Sequence, residues 1–83
     1  MKVHELKIKH TYCINIVREF KKFEIRKNDR DFQVGDLLHL KEIHDNNEEY
    51  TGFETFVKVI YIHSGLGLEE GYVCMSIRNV TIQ

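Results

Sequence analysis

The run Lys21-Lys-Phe-Glu-Ile-Arg26, with the loop that follows it to Phe32, concentrates the side chains of this chain that can act on a ligand. On an extended strand Lys22, Glu24 and Arg26 share one face, and Lys21 stands at its start. A carboxylate between cations is held ionised, so Glu24 can orient a ligand amine or a water. Lys21, Lys22 and Arg26 can hold a phosphate or a carbonyl oxygen. Lys27, Asn28 and Arg30 prolong the polar run, and Phe32 offers stacking surface for a base. Phe23 alternates with Ile25 and reads as core. His4 is placed to join the polar cluster from an earlier strand. The pattern alone leaves a plainer alternative open, a solvated strand face of mixed-sign pairs. In that alternative Arg26 and Asp29 or Asp31 tie the loop down and Asp36 closes the turn.

Other chemistries lack their signatures. His4, His10, His39, His44 and His63 show no metal-binding spacing, and Cys13 and Cys74 form no Cys-x-x-Cys pair. No metal and no cofactor are expected. Cys13 falls on an apolar helix face and reads as core. Cys74 has no activating partner in sequence. Gly65-Leu-Gly67 lacks the spacing and the following helix of a phosphate-binding loop.

The elements that must position these groups follow from periodicity. Val3 to Ile8 alternates as a half-buried strand, with Leu6 and Ile8 on one face. Residues 11–20 read as the one helix, with Thr11 as N-cap and Cys13, Ile16, Val17 and Phe20 at helical spacing. Residues 22–26 return to period two. Residues 28–31 form a polar loop, and 34–36 a turn. Leu37 to Ile43 is a strand, and 44–49 the polar loop tip most prone to disorder. Phe53 to His63 is the longest strand, apolar on both faces and so expected to be central. Residues 64–71 form a flexible connector, and Tyr72 to Ile82 a last strand with Val73, Met75 and Ile77 on one face. Five strands and one early helix predict a mainly β fold, a small mixed or antiparallel β-barrel with the helix plugging one end.

The chain has 83 residues, 12 Lys and Arg against 13 Asp and Glu, and a formal net charge of −1. One small core and a single domain spanning 1–83 are expected. The near-neutral charge counts against a strongly basic nucleic-acid binder but leaves room for a local basic patch. No apolar run spans a membrane, and the charged N-terminus does not read as a signal peptide. The expectation is therefore a cytoplasmic protein with reduced cysteines, monomeric or homodimeric, without a membrane partner.

The segment Lys21-Lys-Phe-Glu-Ile-Arg-Lys-Asn-Asp-Arg-Asp-Phe-Gln-Val-Gly-Asp36, with His4-Glu-Leu-Lys-Ile8 and Gly71-Tyr-Val, resembles a small bacteriophage and bacterial family of unknown function. That family is grouped with the ASCH domains of the PUA-like superfamily. The resemblance covers nearly the whole chain. It implies a PUA-like β-barrel with a polar cleft between barrel and helix, and an RNA-binding role. Some small bacterial ASCH proteins are amidohydrolases acting on an acylated cytidine, and carry a Lys-x-x-Thr-x-Arg element after the helix. Here Lys21 and Arg26 match that element, and Glu24 stands at the threonine position.

The leading expectation is an RNA- or nucleotide-binding module with its ligand at Lys21, Lys22, Glu24, Arg26, Lys27, Asn28, Arg30, Phe32 and His4. The rival is a small amidohydrolase acting on a modified nucleoside. There Glu24 is the general base, Lys21 polarises the acyl oxygen and Arg26 orients the substrate. A third reading is a phage accessory protein that binds a host protein.

Overall fold

The computed structural model describes residues 1–80. In chain order the elements are β1 (Val3–Lys9), α1 (His10–Val17), β2 (Phe23–Lys27), β3 (Leu37–Ile43), β4 (Tyr50–His63) and β5 (Tyr72–Val80). They form a mainly β fold around one mixed sheet, with strand order β1-β3-β4-β5-β2. β1 runs parallel to β3, and the other neighbours are antiparallel. The final positions of the expected last strand, Thr81 and Ile82, lie outside the described residues. Among the described residues, no helix is long and apolar enough to cross a membrane.

The inner face of the sheet is set by alternation. Leu6 and Ile8, Leu38 and Leu40, Val57 and Val59, and Val73, Met75 and Ile77 all point into one core, which Cys13 and Ile16 of α1 cover. β4 is not buried on both faces. Val57 and Val59 are fully buried, whereas Phe53, Ile60 and Tyr61 are largely exposed. The pairing with β5 slips between Val59 and Tyr61. This bulge switches inward parity from odd to even positions, so Ile62 returns to the core edge.

The sheet is not closed into a barrel by backbone pairing. β1 and β2 are its two edges, and arginine side chains span the gap between them. Arg26 Nη2 donates to the carbonyl of Lys7 at 2.8 Å, and Arg30 Nη1 to that of Glu5 at 2.7 Å. These residues are two apart on β1, so their carbonyls point to the same side, away from β3. Guanidinium donors thus satisfy the edge that a closing strand would have covered.

The helix is shorter than expected, and Thr11 is not its N-cap. Lys9 occupies that position without a side-chain cap. The capping group comes instead from the β3–β4 loop. Asp45 accepts from the Thr11 backbone N–H at 3.0 Å and from the Thr11 hydroxyl at 2.6 Å. The hydroxyl bond first, and the N–H bond second, hold the Asp45 carboxyl below its usual range. The loop expected to be the disordered tip is therefore tied to the helix, and His44 and Glu49 close it with a backbone bond of 3.1 Å.

Candidate functional site

β2 presents its faces opposite to the expectation from alternation. Glu24 is buried, 4% exposed, while Phe23 and Ile25 are 43% and 49% exposed. Glu24 pairs with Met75, a core residue on the inner face, and so points inward too. A charged residue takes an inward position only where its charge is met by partners. Both carboxylate oxygens of Glu24 are met. Lys21 Nζ donates to Oε1 at 2.5 Å and Arg26 Nε to Oε2 at 2.9 Å. Lys21 also donates to the carbonyl of Phe23 at 2.6 Å. Its ammonium lies 4.6 Å from the Phe23 ring centroid and 5.3 Å from that of Tyr12. Arg26 carries the triad onward to β1 through the Lys7 carbonyl.

The triad lines a cleft of about 530 Å³ between the facing edges of β1 and β2. Lys7, Ile8 and Lys9 of β1 form one wall, Phe23 to Arg26 of β2 the other, and Tyr12 of α1, Ile43 and Glu48 the rest. The volume suits a small organic ligand. The triad also retains free hydrogen-bonding capacity. A carboxylate has lone pairs beyond the two used here, and an ammonium and a guanidinium have more N–H donors than these contacts occupy. Donors and an acceptor thus stand side by side on one wall of a cleft that also exposes aromatic rings.

The remaining expected site residues divide. Lys22 is exposed and lines a separate hollow of about 200 Å³ on the far side of Lys21. Lys27 is exposed at the end of β2. Arg30 clasps β1. Asn28 organises its own loop: its side-chain oxygen accepts from the Phe32 N–H at 3.0 Å, and its N–H donates to the Gly71 carbonyl at 2.8 Å. His4 and Phe32 are brought together, but in the core. Phe32 is only 3% exposed and meets the His4 ring edge-on at 4.8 Å. Buried in this way, Phe32 offers no face to a base.

His4 does not join Glu24. Its Nε2 stands 2.8 Å from Asp36 Oδ2. Asp36 also accepts from the backbone N–H of Lys2 on Oδ1 and of Gln33 on Oδ2, each at 3.0 Å. Burial opposes ionisation of Asp36, but the His4 and backbone bonds outweigh it and draw its carboxyl down from 3.8 to about 2. The expected closure of the turn by Asp36 is present. Among the described residues Arg26 has no part in it, and Asp31 accepts from Gln33 Nε2 within the loop.

Sequence reading missed a further buried carboxylate. Glu42 accepts from Thr51 Oγ1 at 2.7 Å and lies 2.9 Å from His10 Nδ1. Burial works against its charge, yet the Thr51 and His10 bonds leave its carboxyl below the usual range. Cys13 is fully buried beside it; burial first, and the Glu42 charge second, push that thiol up to about 12. The signal available in sequence was Glu42 at the end of an apolar strand. Among the described residues, no group of three or more His, Cys, Asp or Glu side chains is arranged to hold a metal ion.

No curated protein matches the chain. Residues 3–77, nearly its whole length, match the profile of a family described as a domain of unknown function, and the chain belongs to that family, DUF3850.

Proposed function

We propose that the cleft between β1 and β2 binds a single unpaired base of RNA, or the corresponding nucleotide or nucleoside, in a module of the ASCH and PUA-like kind. The observation that carries this reading is the buried Glu24 carboxylate held between Lys21 and Arg26 on the wall of an open cleft. Base edges present hydrogen-bond donors and acceptors side by side. The triad offers the complementary pair: lone pairs on Glu24 and N–H groups on Lys21 and Arg26. Tyr12 and Phe23, half-exposed and each with one ring face under the Lys21 ammonium, add aromatic surface against which a base can pack, and Lys7 and Lys9 at the rim suit a phosphate. A site of this size accounts for a nearly neutral chain, since one nucleotide needs only a local set of cations.

Anisotropy titration of short labelled single-stranded and hairpin RNAs at two salt concentrations tests the reading. Wild type binds above nonspecific levels. Lys21→Ala weakens binding by about 10-fold or more, as does Glu24→Gln, in line with about 1–3 kcal/mol for a paired base contact. Binding at nonspecific levels only refutes it.

The amidohydrolase reading draws on one specific feature, the contact of Lys21 Nζ with Glu24 within the cleft. In it Glu24 takes a proton from water, the water oxygen attacks the acyl carbon, Lys21 stabilises the developing oxyanion, and the amine leaves with the proton returned by Glu24. A mass-shift screen of acylated nucleosides tests it. Turnover abolished by Glu24→Gln supports hydrolysis; wild type that leaves every acylated nucleoside intact overturns it.

A further inference from the structure

Lys21 lines both the cleft and the second hollow, so the two adjoin at the exit of α1. The floor of the second hollow is apolar, built from Ile16, Ile60 and Ile77. Its rim carries Lys22 and Arg78. The Ile77 N–H donates to the Lys22 carbonyl at 3.0 Å, which fixes Lys22 against the segment of β5 that bears Arg78. Both side chains are exposed, and neither has an ion-pair partner among the described residues. The cation of Lys58 is the cross-strand partner position of Arg78. One carboxylate, Glu19, shares the hollow, from a residue held at a φ of 63° where the chain leaves the helix. Next to Lys21 stands Phe20, 79% exposed.

We propose that the Lys22–Arg78 rim is a second subsite, holding the backbone phosphate of the nucleotide adjoining the one in the cleft, with Phe20 as a stacking face for its base. The inference rests on the nucleotide reading of the cleft. Two exposed cations without an ion-pair partner, with an exposed aromatic nearby in the chain, are what a single strand engages, since phosphate attraction and ring stacking both tolerate sequence. Lys21, common to both linings, sets the two hollows side by side, so a strand seated in the cleft can run on into the second. The ligand is therefore at least a dinucleotide of single-stranded RNA.

The experiment compares a nucleoside, which lacks phosphate, with a single-stranded RNA trinucleotide. Both are titrated into wild type, Lys22→Ala/Arg78→Ala and Phe20→Ala across a salt series. All three side chains are exposed, and circular dichroism checks that the variants fold. In wild type the trinucleotide binds more tightly than the nucleoside. The double variant loses most of that gain, and its log–log salt slope becomes shallower by about 0.7, the share of the one phosphate contact on a single strand. Phe20→Ala weakens the trinucleotide by 5-fold or more with the salt slope unchanged. Nucleoside affinity stays the same throughout. A trinucleotide affinity and slope unaltered in the double variant overturn the second subsite while the cleft reading stands. A nucleoside that fails to bind wild type overturns the cleft reading, and this inference with it.

Discussion

Asp36→Asn separates the structural polar cluster from the cleft and does so with a pH signature. Asp36 holds together three chain segments, through the backbone of Lys2, the ring of His4 and the backbone of Gln33. Asparagine keeps one oxygen acceptor and turns an NH₂ donor towards the other donors, so at least one buried N–H loses its partner. With charged hydrogen bonds worth about 1.5–3 kcal/mol and more than one affected, the loss is about 2–4 kcal/mol. For a domain of this size that lowers Tm by about 10–25 °C. Part of the difference depends on the ionised carboxyl. The folded-state value lies near 2 against an ordinary 3.8, so the charge-dependent stability is fully present above about pH 4 and is lost as pH falls through about 2. The displacement corresponds to at most about 2.5 kcal/mol, and solvent screening reduces it to about 1–2. Urea denaturation of both proteins at pH 7 and pH 2.5 measures it. Wild type is the more stable by 2–4 kcal/mol at pH 7, and the gap narrows at pH 2.5. Equal stability at pH 7, or a gap that does not change with pH, refutes the assignment.

Three further outcomes are expected. Arg26→Ala removes the contacts to Glu24 and to the β1 edge together, and urea denaturation registers a loss of about 1.5–3 kcal/mol. Arg26→Lys recovers only part of this, because an ammonium cannot reproduce the guanidinium fork. The native protein at pH 8 takes up an alkylating reagent at half-buried Cys74 and not at Cys13, whose thiol is buried and raised to about 12; Cys13 reacts once urea is added, as mass spectrometry of the peptides will report. Gly35 has a φ of 95° and its N–H reaches the Val59 carbonyl at 2.8 Å, so Gly35→Ala costs about 1–2 kcal/mol in the same denaturation assay through backbone strain alone.

Strand positions were legible because Leu6 and Ile8 of β1, Leu38 and Leu40 of β3, and Val73, Met75 and Ile77 of β5 fall at every second position and are buried. Two features escaped the same rule. On β2 the apolar residues Phe23 and Ile25 lie outward and Glu24 inward, because pairing with β5 sets the register and Lys21 and Arg26 supply the partners an inward carboxylate needs. On β4 a bulge at Ile60 makes one strand look apolar on both faces while burying only one at a time. The charge pattern marked Glu24 as a carboxylate between cations but gave Lys22 as the neighbour of Glu24 and Arg26 on one face; Lys22 lines the other hollow, and the grouping of Lys21 with Glu24 and Arg26 came from the family resemblance. His4, Asn28 and Phe32 were not separable from it by sequence. Their true partners, Asp36, Gly71 and each other, are set by how the loop folds across the start of β1. The arginine clasp was hidden too, since side-chain donors to an edge strand leave no periodicity.

The most direct test of the cleft as a nucleotide site is amide shift mapping by ¹H–¹⁵N NMR during titration with the common ribonucleosides and their monophosphates. Shifts that saturate and concentrate on Lys7 to Lys9, Tyr12 and Lys21 to Arg26, leaving His4 and Phe32 unmoved, are the predicted result. Amides that do not move at millimolar ligand, or that move only away from the β1–β2 cleft, contradict the account.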